Sequence, residues 1–230
     1  MKIQFNQRNI PIVATFAVFF LIYLIGSVMY TGFSSLRVFT NLFVDNGFVG
    51  VIAVGVTFVI ISGGIDLSVG SVIAFTCVMT AKLVAVYHVH PIFAILLALA
   101  FGATLGFVMG CLIHYFALPP FLVTLVGMFL ARGLSFQMTL DSIPIQENPF
   151  LLKLTEIGIP LTDRIKLPLG TSVVFIVVVL IGIYLSHFTK FGRNVYAIGG
   201  NEQSAVLWGL PVGRTKVIIY TLNGARSALA

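Results

Sequence analysis

Apolar residues run along this chain in blocks of about twenty, the length an α-helix needs to cross the hydrocarbon core of a bilayer. The blocks are Ile10–Met29, Val44–Ser62, Leu67–Val86, Ile92–Ala117, Phe121–Phe136 and Leu169–Phe188, and a seventh runs from near Thr215 to Ala230. Glycines, prolines and a few charges separate them. Within a block, as in Val173-Val174-Phe175-Ile176-Val177-Val178-Val179-Leu180, apolar residues follow one another without alternation. That excludes the strands of a membrane β-barrel, which alternate apolar and polar positions. Lipid offers the backbone no hydrogen-bond partners, so such blocks close their bonds within helices. The pattern predicts an all-α, polytopic transmembrane helical protein of about six complete spans plus a truncated seventh.

Composition agrees. Only 9% of the 230 residues are charged and the mean hydropathy is +1.09, too little charge for a water-exposed surface. Lys2 and Arg8 precede the first block, but that block is too long for a cleaved leader and no small-x-small site follows it. A retained first helix is expected. The basic residues lie mostly at block ends, where they set orientation rather than form a nucleic-acid face. Lys190, Arg193 and Arg214 stand against one acid, Glu202, between Thr189 and Arg214. Between Thr139 and Pro168, Asp141, Glu147, Glu156 and Asp163 mix with Lys153, Arg164 and Lys166. The amino-terminal tail and the 189–214 segment are therefore expected in the cytoplasm and the 139–168 loop outside. Six alternating crossings satisfy all three. The block Phe121–Phe136 follows Pro119-Pro120 and carries Arg132, so it also reads as a partly re-entrant segment.

Gly102, Gly106 and Gly110 recur every four residues. In lipid, such small-residue stripes let two helix backbones approach closely. Cys77 and Cys111 fall inside apolar blocks and are expected to be free thiols. His88, His90, His114 and His187 lie near block ends without a further ligand at metal spacing, so no metal site is expected. There is no Gly-x-x-x-x-Gly-Lys-Ser/Thr loop for a nucleotide, and no nucleophile–base pair stands out. Neither an enzyme activity nor a cofactor is expected.

Two polar segments interrupt the apolar pattern. Ser62-Gly63-Gly64-Ile65-Asp66-Leu67-Ser68-Val69-Gly70-Ser71 reads as a tight cytoplasmic turn, with Gly63 or Gly64 ending one helix and Asp66 capping the next. The second reading, behind the capped turn, is a polar break facing a path or a partner, with Gly63, Gly64, Asp66 and Ser68 as its candidate residues. In the second segment, Thr189–Lys216, Asn201 is placed to cap a short helix through Leu207, closed by Gly209 and stopped by Pro211. It is either a docking surface for a cytoplasmic partner or a solvated connector.

Ser62–Ser71, Leu118–Thr124 (LPPFLVT) and Phe191–Lys216, in that order, resemble the permease subunits of ribose-type ATP-binding-cassette sugar importers, within the branched-chain amino acid/ribose permease superfamily. Within that group the similarity is greatest to the second permease of galactofuranose importers. The resemblance implies a single permease domain over residues 1–230, in the bacterial inner membrane, translocating a monosaccharide without covalent chemistry. It implies as partners a cytoplasmic ATPase, a second permease subunit and a periplasmic sugar-binding protein. It also implies that residues 189–214 form the cytoplasmic coupling loop that docks on the ATPase, with Arg193, Gly199, Gly200, Asn201, Ser204, Ala205 and Gly209 matching the family pattern. Two features depart from that pattern. Trp208 stands where a small residue is usual, which implies an overpacked docking surface. The chain also ends roughly a hundred residues short of a typical member, with Arg226 in its last block at an insertion cost of about 2.5–3.5 kcal/mol. Thr215–Ala230 is accordingly expected to fray or to lie at the membrane interface. The rival readings are a branched-chain amino-acid-type permease and a non-transporting membrane fragment. An intramembrane enzyme using Asp66 with His88 and His90 would need groups from opposite sides of the membrane.

Overall fold

In a computed structural model of the chain, residues 10–145, 148–150, 158–162 and 165–230 are described. The expectations for Lys2, Arg8, Glu147, Lys153, Glu156, Asp163 and Arg164 lie outside them. The chain divides into two compact units, Met1–Phe43 and Val44–Ala230.

In the first unit α1 (Ile10–Met29) matches its predicted block residue for residue and buries no side chain. Gly32, at φ +83°, turns the chain back. The Phe33 ring then fills the space left by Gly26, where a Cβ would meet it at 3.0 Å, and lies 5.4 Å from the Tyr23 ring. The unit ends within α2 (Leu36–Ile61), which starts two turns before its predicted block.

The second unit holds the rest of α2, then α3 (Val69–Ala85), α4 (Pro91–Tyr115) and α5 (Pro120–Met138). A short antiparallel hairpin follows, β1 (Gly158–Thr162) with β2 (Ile165–Pro168), pairing Ile159 with Leu167. It decorates the 139–168 loop and leaves the membrane part all-α. The chain continues through α6 (Leu169–Phe188), α7 (Lys190–Gly200), α8 (Glu202–Leu207) and α9 (Val212–Leu229). Among the described residues, α1, α4 and α5 are long and apolar enough to cross a membrane by themselves, and α6 with α7 forms an apolar pair bent by 72°. Of the helices flanking the first polar break, α2 has 26 residues and α3 has 17. α5 is one continuous helix from Pro120, which serves as its first residue where no N–H is needed. The re-entrant reading of Phe121–Phe136 is therefore overturned, and Arg132 sits exposed on that helix.

The core is built on glycine. A Cβ at Gly102 would overlap the Gly224 carbonyl, one at Gly106 the Tyr220 carbonyl, and one at Gly110 would come within 2.8 Å of the Val217 Cα. The predicted stripe thus brings the backbone of α4 onto that of α9, the close approach small residues permit in lipid. On α5, Gly127 makes room for the Met109 side chain. Val72, Phe75, Leu105, Met109, Ile113, Val123, Ile219 and Tyr220 close the surrounding core. The expectation that Thr215–Ala230 frays is wrong for this reason. α9 buries Thr215, Ile219, Tyr220, Asn223, Gly224, Arg226 and Ser227, because the glycine stripe of α4 receives it along its length. Cys77 is exposed and Cys111 half-buried, and both are free thiols.

Candidate functional site

The α2–α3 break starts with a helix stop written in two glycines. Gly63 adopts φ +78°, its N–H donates to the Ile60 carbonyl at 2.9 Å, and the Gly64 N–H donates to the Val59 carbonyl at 2.9 Å. This pair of bonds is the Schellman end, which satisfies two otherwise orphaned carbonyls. Gly64 must also be bare, since a Cβ there would stand 2.5 Å from the Tyr220 hydroxyl.

Asp66 was expected to be the cap of α3, but Ser68 occupies that position. Asp66 acts from two residues earlier. Its Oδ1 accepts from the Ser68 N–H at 2.8 Å and the Ser68 hydroxyl at 2.6 Å, a local Asx turn that starts the helix from outside. Its Oδ2 accepts from Asn223 Nδ2 at 2.7 Å, and the Tyr220 hydroxyl donates to the Ile65 carbonyl at 3.3 Å. Two side chains of α9 therefore hold the break in place.

The break is recessed inside the bundle. The Tyr220 that reaches Ile65 lays its own carbonyl over Gly106, about 14 Å by helical rise from the end of α4 at Tyr115. The Ser68 Cβ lies 3.6 Å from where a Cβ would stand on Gly127, about 10 Å into α5. The helix end expected at Gly63 or Gly64 is present, and side chains of α9 cover one side of the turn. A non-helical backbone segment at membrane depth is kept where protein covers it or where it lines a cavity. One side of the break is covered, with Ser62 and Ser68 buried, while Gly63, Ile65, Leu67 and Gly70 are exposed.

Beneath the break lies α7. Thr189 caps it, its hydroxyl oxygen accepting from the Gly192 N–H at 3.2 Å. Gly192 packs on the carbonyls of Leu185 and Ser186, which allows the sharp bend from α6. Val195 and Ile198 are buried, and the Phe191 ring lies 5.7 Å from Phe58. Gly199 meets the Ile61 carbonyl, so α7 touches the last turn of α2.

The short helix expected at Asn201–Leu207 is present as α8. Asn201 caps it, its side-chain oxygen accepting from the Ser204 N–H at 2.8 Å. Gly209 closes it at φ +70°, with a second Schellman pair: Gly209 N–H to the Val206 carbonyl at 2.9 Å and Leu210 N–H to the Ala205 carbonyl at 3.1 Å. Ala205 packs with Ile198 and Val212 in a small separate core. Glu202 and Lys216 form an ion pair at 2.6 Å that ties α8 to α9. Of the family-pattern residues, Gly199, Asn201, Ala205 and Gly209 shape this unit, Ser204 supplies the capped N–H, and Arg193 and Gly200 lie on its surface. Sequence reasoning missed α7, although Thr189 and the spacing of Phe191, Val195 and Ile198 marked it, because Gly192, Gly199 and Gly200 argued against a helix. It also missed that Leu207 and Trp208 stand 87% and 84% exposed.

The histidines serve elsewhere. His90 caps α4, accepting from the Ile92 N–H at 3.3 Å. The 17 residues of α3 put it about 25 Å from the break. His114 packs on Gly213. Asp66 and His90 thus do not form one site.

Comparison with known proteins places this geometry. The chain is 45% identical to the inner membrane ABC transporter permease protein YjfF of Escherichia coli K12 over 97% of its own length and 67% of that protein's. It is 37% identical to the fructose import permease protein FruG of Bifidobacterium longum over 99% and 68%. It is 38% identical to the ribose import permease protein RbsC of Bacillus subtilis over 92% and 64%. The chain spans about two thirds of the length of these relatives. No solved structure matches it. The family model described as branched-chain amino acid transport system / permease component matches residues 38–230, and the chain belongs to that family of multi-pass membrane permeases, which are transport components and not enzymes.

Proposed function

We propose that this chain is the permease subunit of an ATP-binding-cassette importer in the bacterial inner membrane, and that its cargo is a monosaccharide, galactofuranose or a sugar like it. The relatives named above include a ribose and a fructose import permease, the three sequence segments resemble ribose-type sugar importer permeases, and overall similarity to galactofuranose permeases supports the finer assignment. A separate cytoplasmic ATPase docks on α7 and α8, a second permease subunit completes the path, and a periplasmic binding protein delivers the sugar.

The observation that carries this reading is the stacking of α8, α7 and the recessed break. The exposed apolar tip of α8, Val206, Leu207 and Trp208, offers a partner a surface. Gly199 carries displacement of that unit to the end of α2 without an intervening side chain. The break answers because two hydrogen bonds from α9 hold it. Alternating access then consists of moving α7 and α8, which the Ile198–Ala205–Val212 core and the Glu202–Lys216 pair hold to the start of α9, and releasing the break.

The test is uptake in cells lacking native sugar importers. Cells producing this chain with its ATPase, second permease and binding protein are given labelled galactofuranose, ribose, fructose and leucine. ATP-dependent uptake of a sugar supports the proposal. Uptake of leucine alone supports the branched-chain amino-acid reading. Uptake of none, with normal membrane insertion, leaves a membrane chain without transport.

A further inference from the structure

In lipid, a buried ionisable side chain needs a reason to be there. Arg226 is 9% exposed and Asn223 1% exposed. Both carry a buried polar atom without a hydrogen-bond partner, Nη1 of Arg226 and Oδ1 of Asn223. They lie one turn apart on the same face of α9. Both flank Gly55 of α2, where an added Cβ would overlap Asn223 Oδ1 and approach Arg226 Cδ to 3.4 Å. The Arg226 guanidinium lies 5.4 Å from the centre of the Phe58 ring. Asp66 stands beside them through its bond to Asn223.

We infer that Asn223 and Arg226, with Asp66 beside them, form a binding site for the hydroxyl groups of a neutral sugar ring inside the permease. The inference rests on the proposal that the cargo is a sugar. The two unmatched atoms are of opposite kind: the amide oxygen accepts and the guanidinium donates. A group that satisfies both must itself donate and accept, as a hydroxyl does. Neighbouring hydroxyls on a ring present that pairing twice, and planar amide and guanidinium side chains match it. A zwitterionic amino acid also offers a donor and an acceptor. Its ammonium, however, would seek a free carboxylate oxygen, and both oxygens of Asp66 already accept bonds from the protein. The site is closed in this structure. Its door is the α2–α3 break, which Asn223 and Tyr220 hold by one hydrogen bond each and whose outer face, Gly63, Ile65 and Leu67, is open.

The experiment has two readouts. The purified chain is heated with galactofuranose, ribose, fructose, their deoxy analogues, or leucine, and the unfolding midpoint is followed. Transport kinetics are measured in the cells described above. We expect the sugar that the cells take up to raise the midpoint, since a ligand that binds only the folded state stabilises it, and its deoxy analogue to raise it less. Arg226→Met and Asn223→Leu should abolish that shift and raise KM for the sugar by about tenfold or more, the loss of a hydrogen bond to a charged or buried group. Arg226→Lys should recover part of the shift. If the variants do not fold, the wild-type preference for the sugar over its deoxy analogue still decides. Sugar uptake with no sugar-induced shift, or with KM unchanged in the variants, overturns the site and leaves the proposed function standing. Stabilisation by leucine and by no sugar overturns both. Stabilisation by sugar without uptake upholds the site and overturns the transport reading.

Discussion

Gly199 rests against the main-chain carbonyl of Ile61, so that the penultimate residue of α7 and the last residue of α2 meet backbone to backbone. Its neighbour Gly200 has nothing within 4 Å of the position a Cβ would take. The two glycines look alike in sequence and should behave differently. Gly199→Ala must push α7 off α2, at the roughly 1–3 kcal/mol that overpacking costs. Gly200→Ala should be nearly silent. A midpoint lowered for the first variant and unchanged for the second, in the same detergent, checks this. Equal midpoints would mean that α7 is free to shift.

The same contrast tests the helix pair beneath the site. Gly106→Val places a side chain on the Tyr220 carbonyl, while Gly133, which has open space at its Cβ, tolerates the same change. Gly106→Val should lose the α4–α9 contact and yield little folded protein, and Gly133→Val should express normally. Size-exclusion profiles of the two variants distinguish the outcomes.

The helices were legible because bilayer thickness and backbone satisfaction leave one solution for an apolar block: α1 and α6 fall on their predicted residues. The glycine stripe of α4 was legible for the same reason, since its spacing is that of one helix face. Depth was not legible. Asp66 and Ser68 read as a turn, and only their contacts with Asn223 and Gly127 put that turn inside the bundle. Arg226 read as a misplaced charge on a segment that would fray. A residue's surroundings, here Gly55 and Phe58 from a distant part of the chain, are what sequence periodicity does not carry.

Asp66 joins a local turn to a distant helix through separate oxygens, and removing its side chain should lose both bonds. Asp66→Asn keeps a carbonyl oxygen for the Ser68 N–H and, with the Asn223 amide reversed, a bond across to α9. Asp66→Ala loses both, at about 0.5–2 kcal/mol for the helix start and a further 1–3 kcal/mol or so for the stranded Asn223 amide. The alanine variant should therefore unfold well below the asparagine variant. Coincident midpoints would show that neither the helix start nor the Asn223 bond contributes.

Trp208 was expected to overpack a docking surface, yet within this chain it strains nothing. At 84% exposure, beside Leu207 at 87%, the ring stands clear of the α7–α8–α9 core. Removing it should leave the fold alone, within about 0.5 kcal/mol, as for other surface substitutions. Its effect belongs to the proposed docking. A large exposed aromatic next to a leucine is the kind of anchor that dominates a protein interface once a partner covers it. Trp208→Ser and Leu207→Ser should therefore each weaken co-purification of the ATPase while the unfolding midpoint of the permease holds. The overpacking view predicts the opposite sign for Trp208→Ser, tighter association with the small side chain. Association unchanged in both variants would place the tip of α8 outside any contact with the ATPase and return the segment to a connector.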